Sequence, residues 1–119
     1  MKKKFGHSVW LLCGGRKRLE MDLRRAAANA DEALVIMTLI DMGAGVDARD
    51  PATGRTALML AVEYDCRSNV VALLSHGANI HIQANNGKSA LEMARAKGLD
   101  EVAELLKDTD RVNQSYLGR

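Results

Sequence analysis

TGRTALMLAVEYD, Thr53 to Asp65, sets a turn, a helix cap and a run of small apolar residues side by side. Gly54 permits a tight turn, Thr56 can cap the free N–H groups of a helix start, and Leu58, Ala61 and Val62 fall on one face of the helix that follows. NGKSALEMARAKG, Asn86 to Gly98, has the same grammar, with Ser89 lying 33 positions after Thr56. A period of that size marks a repeat architecture, in which each unit covers the apolar side of its neighbour.

Working outward, Arg67 to Ser75 reads as a second helix with Val70, Val71, Leu73 and Leu74 on its apolar side, and Gly77 stands where a left-handed residue ends it. Ala78-Asn79-Ile80-His81 leads away in extended form, and Asn85-Asn86-Gly87 supplies the turn before the next cap at Ser89. The following unit repeats the plan: Leu91, Met93 and Ala94 on a first helix, Gly98 at the junction, then Val102, Ala103, Leu105 and Leu106 on a second. An earlier copy ends at Leu39-Ile40-Asp41-Met42-Gly43-Ala44, 34 positions before Leu73 to Ala78. The one added residue is placed at Pro51. Leu19 to Ala30 and Glu32 to Met42 supply that copy's helices, with an insertion expected between them. The resulting divisions are a basic and apolar segment over 1–18, a degenerate first repeat over 19–48, a second over 49–82, a third over 83–110, and a frayed tail over 111–119.

The composition agrees with helices packed through small side chains. Aromatic residues are only 3% of the 119, which disfavours a β-sandwich core, and a chain of this length is expected to form one domain. Residues 1–25 carry eight basic and two acidic side chains, whereas the remainder carries nine and thirteen. Lys2, Lys3, Lys4, Arg16, Lys17 and Arg18 therefore offer an electrostatic route to nucleic acid or an acidic membrane, against the plainer reading of a solvated terminus. The apolar run from Ser8 to Cys13 is too short for a secretory h-region, and no stretch approaches the roughly 20 apolar residues of a membrane span. With two cysteines and no CxxC spacing, a soluble chain in a reducing, cytoplasmic setting is expected.

No catalytic constellation emerges, and neither an enzymatic activity nor a cofactor is expected. His76, His81, Asp47 and Asn79 lie in related loop positions, but loop histidines that bond to backbone are commoner than metal ligands, and no metal is expected. Cys66 beside Arg67 lacks a histidine partner and reads as a structural thiol. Val9-Trp10-Leu11-Leu12 is the unexplained stretch. Folded back, it caps the first helix pair; left open, it promotes self-association or partner insertion, so monomer and weak homodimer both stand.

G-R-T-A-L-M-L-A-V, V-V-A-L-L and G-A-N-I-H-I, followed by G-K-S-A-L-E-M-A-R and V-A-E-L-L and preceded by G-A-G-V-D-A, resemble ankyrin repeats from about Leu23 to Lys107. Ala57 and Ala90 stand where that family has proline, Met59 and Glu92 where it has histidine, and the first two helix junctions lack its usual glycine. The resemblance implies an all-α ankyrin-type solenoid of stacked helix pairs with short β-hairpin fingers. It also implies a non-enzymatic module, an adaptor or inhibitor, that binds another protein through the finger tips and the concave face of the first helices. Carried over by position, the binding residues are Arg49, Asp50, Thr53 and Arg55 on one finger with Met59, Glu63 and Tyr64 on its helix. Gln83, Asn85, Asn86 and Lys88 form the next finger, joined by Glu92 and Lys97. Tyr64 is the strongest of these, with Arg49 and Arg55 available to pair with partner carboxylates. A factor delivered into another organism's cells is compatible with the same module.

Overall fold

Among the described residues six helices follow one another: α1 (Gly15–Ala27), α2 (Ala33–Asp41), α3 (Ala57–Glu63), α4 (Arg67–Ser75), α5 (Ala90–Ala96) and α6 (Asp100–Leu117). They come from a computed structural model that describes residues 15–117, with side chains described through Asp110. Lys2, Lys3, Lys4, Val9, Trp10, Leu11, Leu12 and Cys13 lie outside the described residues. Consecutive helices pair as α1 with α2, α3 with α4 and α5 with α6. The pairs stack so that α1, α3 and α5 form one layer and α2, α4 and α6 a second. Leu23, Ala27, Leu58, Ala61, Val62, Val70, Leu73, Ala94 and Leu106 fill the space between the layers. The alanines let the first-layer helices approach, and the leucines occupy the gaps.

The helix starts follow from side-chain capping. The Met59 N–H donates to Thr56 Oγ1 at 3.3 Å. Ser89 accepts from the Glu92 N–H at 3.4 Å while Glu92 Oε1 accepts from the Ser89 N–H at 3.1 Å, which makes a capping box. These bonds supply the helix-starting function that Ala57 and Ala90, lacking proline's fixed φ, do not. The junctions between paired helices are Asp31, Asp65 and Gly98, with φ of 60°, 53° and 72°. Two aspartates thus adopt the left-handed turn that glycine makes more freely. Their even spacing corrects the expected insertion: unit one has none between its helices.

The added residue lies in the first finger. There the Asp50 N–H donates to the Arg55 carbonyl across four residues, Pro51 to Gly54. In the second, the Ala84 N–H donates to the Lys88 carbonyl across three. The fingers close by such single turn bonds, without strands among the described residues. Helix α1 begins at Gly15, four residues before Leu19, and α6 continues through the expected tail to Leu117. Neither Arg16 to Ala27 nor Asp100 to Leu117 contains a glycine or proline to stop the backbone ladder.

Asn69 holds the first two units together. It is fully buried in α4, and its Nδ2 donates to the carbonyls of Ala26 (3.3 Å), Ala27 (3.1 Å) and Asn29 (2.6 Å) while its Oδ1 accepts from the Glu32 N–H at 3.2 Å. One amide thereby satisfies the unpaired end of α1 and fixes the entry to α2. Replacing it strands buried backbone groups. Asn69→Ala is expected to lower unfolding free energy by about 2–3 kcal/mol in urea titration, with the loss concentrated in hydrogen-exchange protection of α1 and α2.

Candidate partner-binding surface

The two fingers form one ledge because they bond to each other. Arg49 donates from Nε to the Gly54 carbonyl at 3.2 Å and from Nη2 to the Gln83 carbonyl at 2.9 Å, bridging its own finger and the next. Asn85 donates its backbone N–H to the Thr53 carbonyl and its Nδ2 to the Ala52 carbonyl, both at 3.0 Å. Asp50 accepts from the Ala52 N–H, Thr53 Oγ1 from the Arg55 N–H and Asn86 Oδ1 from the Lys88 N–H, so each turn is also braced from within. At the root, Asp47 Oδ1 accepts from the Asn79 N–H at 2.8 Å. Gly54 is where the ledge is tightest. A Cβ there would lie 2.4 Å from Asn85 Oδ1 and 2.9 Å from its backbone nitrogen, at a φ of 74°.

This geometry redistributes the residues read from the sequence. Met59 is corrected: it is 1% exposed, because α3 has α1 on one side and α5 on the other. Its equivalents in the flanking units, Arg25 and Glu92, are exposed. Arg49 and Arg55 are corrected as ready partners for an incoming carboxylate, since Arg49 serves the ledge and Arg55 pairs with Glu63 along α3. Gln83 contributes its carbonyl to the ledge, and Glu92 its carboxylate to the helix cap. Four side chains at predicted positions carry no internal hydrogen bond: Gln83, whose bonded carbonyl is the backbone one, and Lys88 on the finger, Lys97 at the end of α5, and Tyr64 at the end of α3, 58% exposed. Tyr64 stands at the opposite end of α3 from the finger, so the surface spans the full length of that helix. Arg95 was missed. It is exposed at the position where the middle unit buries Val62, and with Glu92 it gives the last first-layer helix a polar outer side.

The sequence from 23 to 115 matches the family described as ankyrin repeats, in three copies. The chain belongs to the ankyrin-repeat family. The B-cell lymphoma 3 protein homolog of Mus musculus is 40% identical over 73 residues, 61% of this chain and 16% of that protein. The nuclear factor NF-kappa-B p105 subunit of Mus musculus is also 40% identical over 73 residues, 60% of this chain and 8% of the relative. A third, which bears the name "Putative E3 ubiquitin-protein ligase XBAT34" in Arabidopsis thaliana, is 36% identical over 83 residues, 69% of this chain and 22% of its own length. The chain thus spans less than a quarter of each of these relatives. Ankyrin repeats are protein-interaction modules, and the family is generally non-enzymatic.

The polar side chains weighed for chemistry have structural partners in this ankyrin stack. His76 Nδ1 lies 2.9 Å from the Ala72 carbonyl, and His81 Nε2 lies 2.8 Å from Asp110 Oδ1. Cys66 is buried at the start of α4, its thiol 3.6 Å from the Tyr64 carbonyl. Burial, then the nearby Asp65 and Asp31 carboxylates, push that thiol above its ordinary pKa, because both disfavour the thiolate.

Two outcomes follow. Gly54→Ala is expected to destabilise by about 1–2 kcal/mol from the left-handed φ alone, and to speed amide exchange at Asn85 before the helices melt. In a Cys13→Ser background Cys66 is the sole thiol, and its alkylation should remain slow at pH values where free cysteine reacts readily. Because its folded pKa is raised, the stability it contributes is fully present below the unfolded thiol pKa and is lost as pH rises through the folded one. Urea midpoints measured across alkaline pH check this sign.

Proposed function

We propose that the chain is a non-enzymatic adaptor or inhibitor that binds a partner protein across the finger ledge and the exposed side of α3 and α5. The observation that carries this reading is the locked ledge. Six hydrogen bonds made by side chains between or within the two fingers already order them, so a partner meets a surface whose entropy cost is largely met before binding. The unbonded side chains beside it suit contact: Tyr64 offers a rigid aromatic area, and Lys88, Arg95 and Lys97 favour a partner patch carrying carboxylates. Membership of a family of protein-interaction modules that is generally non-enzymatic supports the adaptor or inhibitor reading over an enzymatic one. A cytoplasmic, reducing setting, in keeping with the buried unpaired Cys66, belongs to the same proposal.

A second reading rests on Arg16, Lys17 and Arg18, all exposed on the first turn of α1, as part of a site for nucleic acid or acidic lipid. The two readings separate in one experiment. A partner isolated on the full chain is titrated against the parent and Tyr64→Ala, and DNA and acidic vesicles are titrated over a salt series. The expected result is a loss of partner affinity of 30-fold or more for Tyr64→Ala with unchanged helix content. Unchanged affinity removes Tyr64 from the site, and tight, steeply salt-dependent DNA or vesicle binding moves function to the basic segment.

A further inference from the structure

Val35, Asn69 and Val102 occupy equivalent positions in the second helices of the three units, 34 and 33 residues apart. Asn69 and Val102 are 0% and 1% exposed, because each faces the unit before it, whereas Val35 is 44% exposed. On the outer side of α2, Leu34 and Met37 stand where α6 carries the exposed Glu101 and Glu104. They are themselves 77% and 38% exposed. The sequence of α2, ALVIMTLID, is therefore apolar nearly all round, a pattern that belongs to a covered helix. Next to Val35 a groove of about 350 Å³ runs between α1 and α2, its floor including Ala26 and Leu39 and its rim Glu32 and the Asp22–Arg25 ion pair; no residue of α3 to α6 lines it.

We infer that Val9-Trp10-Leu11-Leu12 of the same chain occupies this groove and crosses the exposed side of α2, with Lys2, Lys3 and Lys4 against Asp31 and Glu32. Reach supports the assignment. Glu20 in the first half of α1 accepts from the Gly45 N–H at 3.0 Å, so that half of α1 lies beside the chain just after α2, and Gly15 takes a φ of 43°, which glycine adopts freely. Helix α2 is about 13 Å long at 1.5 Å per residue. Extended chain covers about 3.3 Å per residue, so four residues beginning three positions before Gly15 span it. Charge supports it too. Asp31 and Glu32 lie in the junction between α1 and α2, and their carboxylates attract cations. Three lysines lie just upstream of the apolar stretch. A second copy of α2 in the same groove would instead bring its own Asp31, Glu32 and Asp41 against like charges.

Trp10 is the sole tryptophan, so its fluorescence reports the docking directly in the full 119-residue chain. The expected emission is blue-shifted relative to the urea-unfolded chain, unchanged on dilution, and several-fold less accessible to iodide. Val35→Glu should return emission and quenching toward the unfolded values. Trp10→Ala should lower Tm by about 4–8 °C and should be non-additive with Val35→Ala. Should Val35→Glu fail to fold, the dilution series and the Trp10/Val35 cycle still decide. Emission of an exposed indole, or an additive cycle, overturns the inference. A blue shift lost on dilution also overturns it, assigning the groove to a second copy.

Discussion

A pair of helices seven to nine residues long cannot hold itself together in water, and everything else in this protein follows from that constraint. Each of α3 and α5 has two turns, too few to repay helix nucleation from its own hydrogen bonds. Their stability comes from the layer that Leu58, Ala61, Val62 and Ala94 share with neighbouring units. Asn69 adds a polar tie within that layer. Its amide stands where the third unit has Val102, and it replaces generic apolar contact with four directed bonds to the unit before it. Such a fully satisfied buried amide fixes one register of stacking as well as adding stability.

The same stacking explains why one repeat position carries three chemistries. Arg25, Met59 and Glu92 are equivalent, and the apolar one is in the middle, where helices flank it on both sides. Ala28, Val62 and Arg95 follow the same order toward the last unit. A stack ends solubly only when its terminal units are polar on the outside, and α5 and α6 meet that need with Glu92, Arg95, Glu101 and Glu104. At the other end, the second helix does not: Leu34, Val35 and Met37 break the rule.

The fingers illustrate a division of labour between scaffold and surface. Arg49 and Asn85 are exposed and polar, the usual profile of contact residues, yet their donors are spent on the carbonyls of the adjoining finger. Surface polarity here builds rigidity. The side chains left unbonded, Tyr64 among them, are carried by helix ends and a braced turn rather than by loose loop. The exposed ion pair of Arg67 with Glu101 bridges α4 and α6, but at that exposure it contributes little beyond the apolar packing beneath it.

Much of the fold was legible in the chain itself. The 33-residue period, the caps at Thr56 and Ser89, and the left-handed positions at Gly77 and Gly98 are local signals, each readable because backbone geometry admits few residue types there. They determined helix order, pairing and stacking. The candidate site was legible only as a set of positions. Met59 and Glu92 look alike in the repeat register, and a period alone does not say which has helices on both sides. Arg49 and Arg55 look alike as exposed cations, and no spacing rule reveals that one bonds across to the next finger and the other along its own helix. Burial, and bonds such as those of Arg49 to Gln83 and Asn85 to Ala52, depend on residues more than 30 positions away, brought together by the stack, so the tertiary structure decided which polar side chains brace the protein and which remain for a partner.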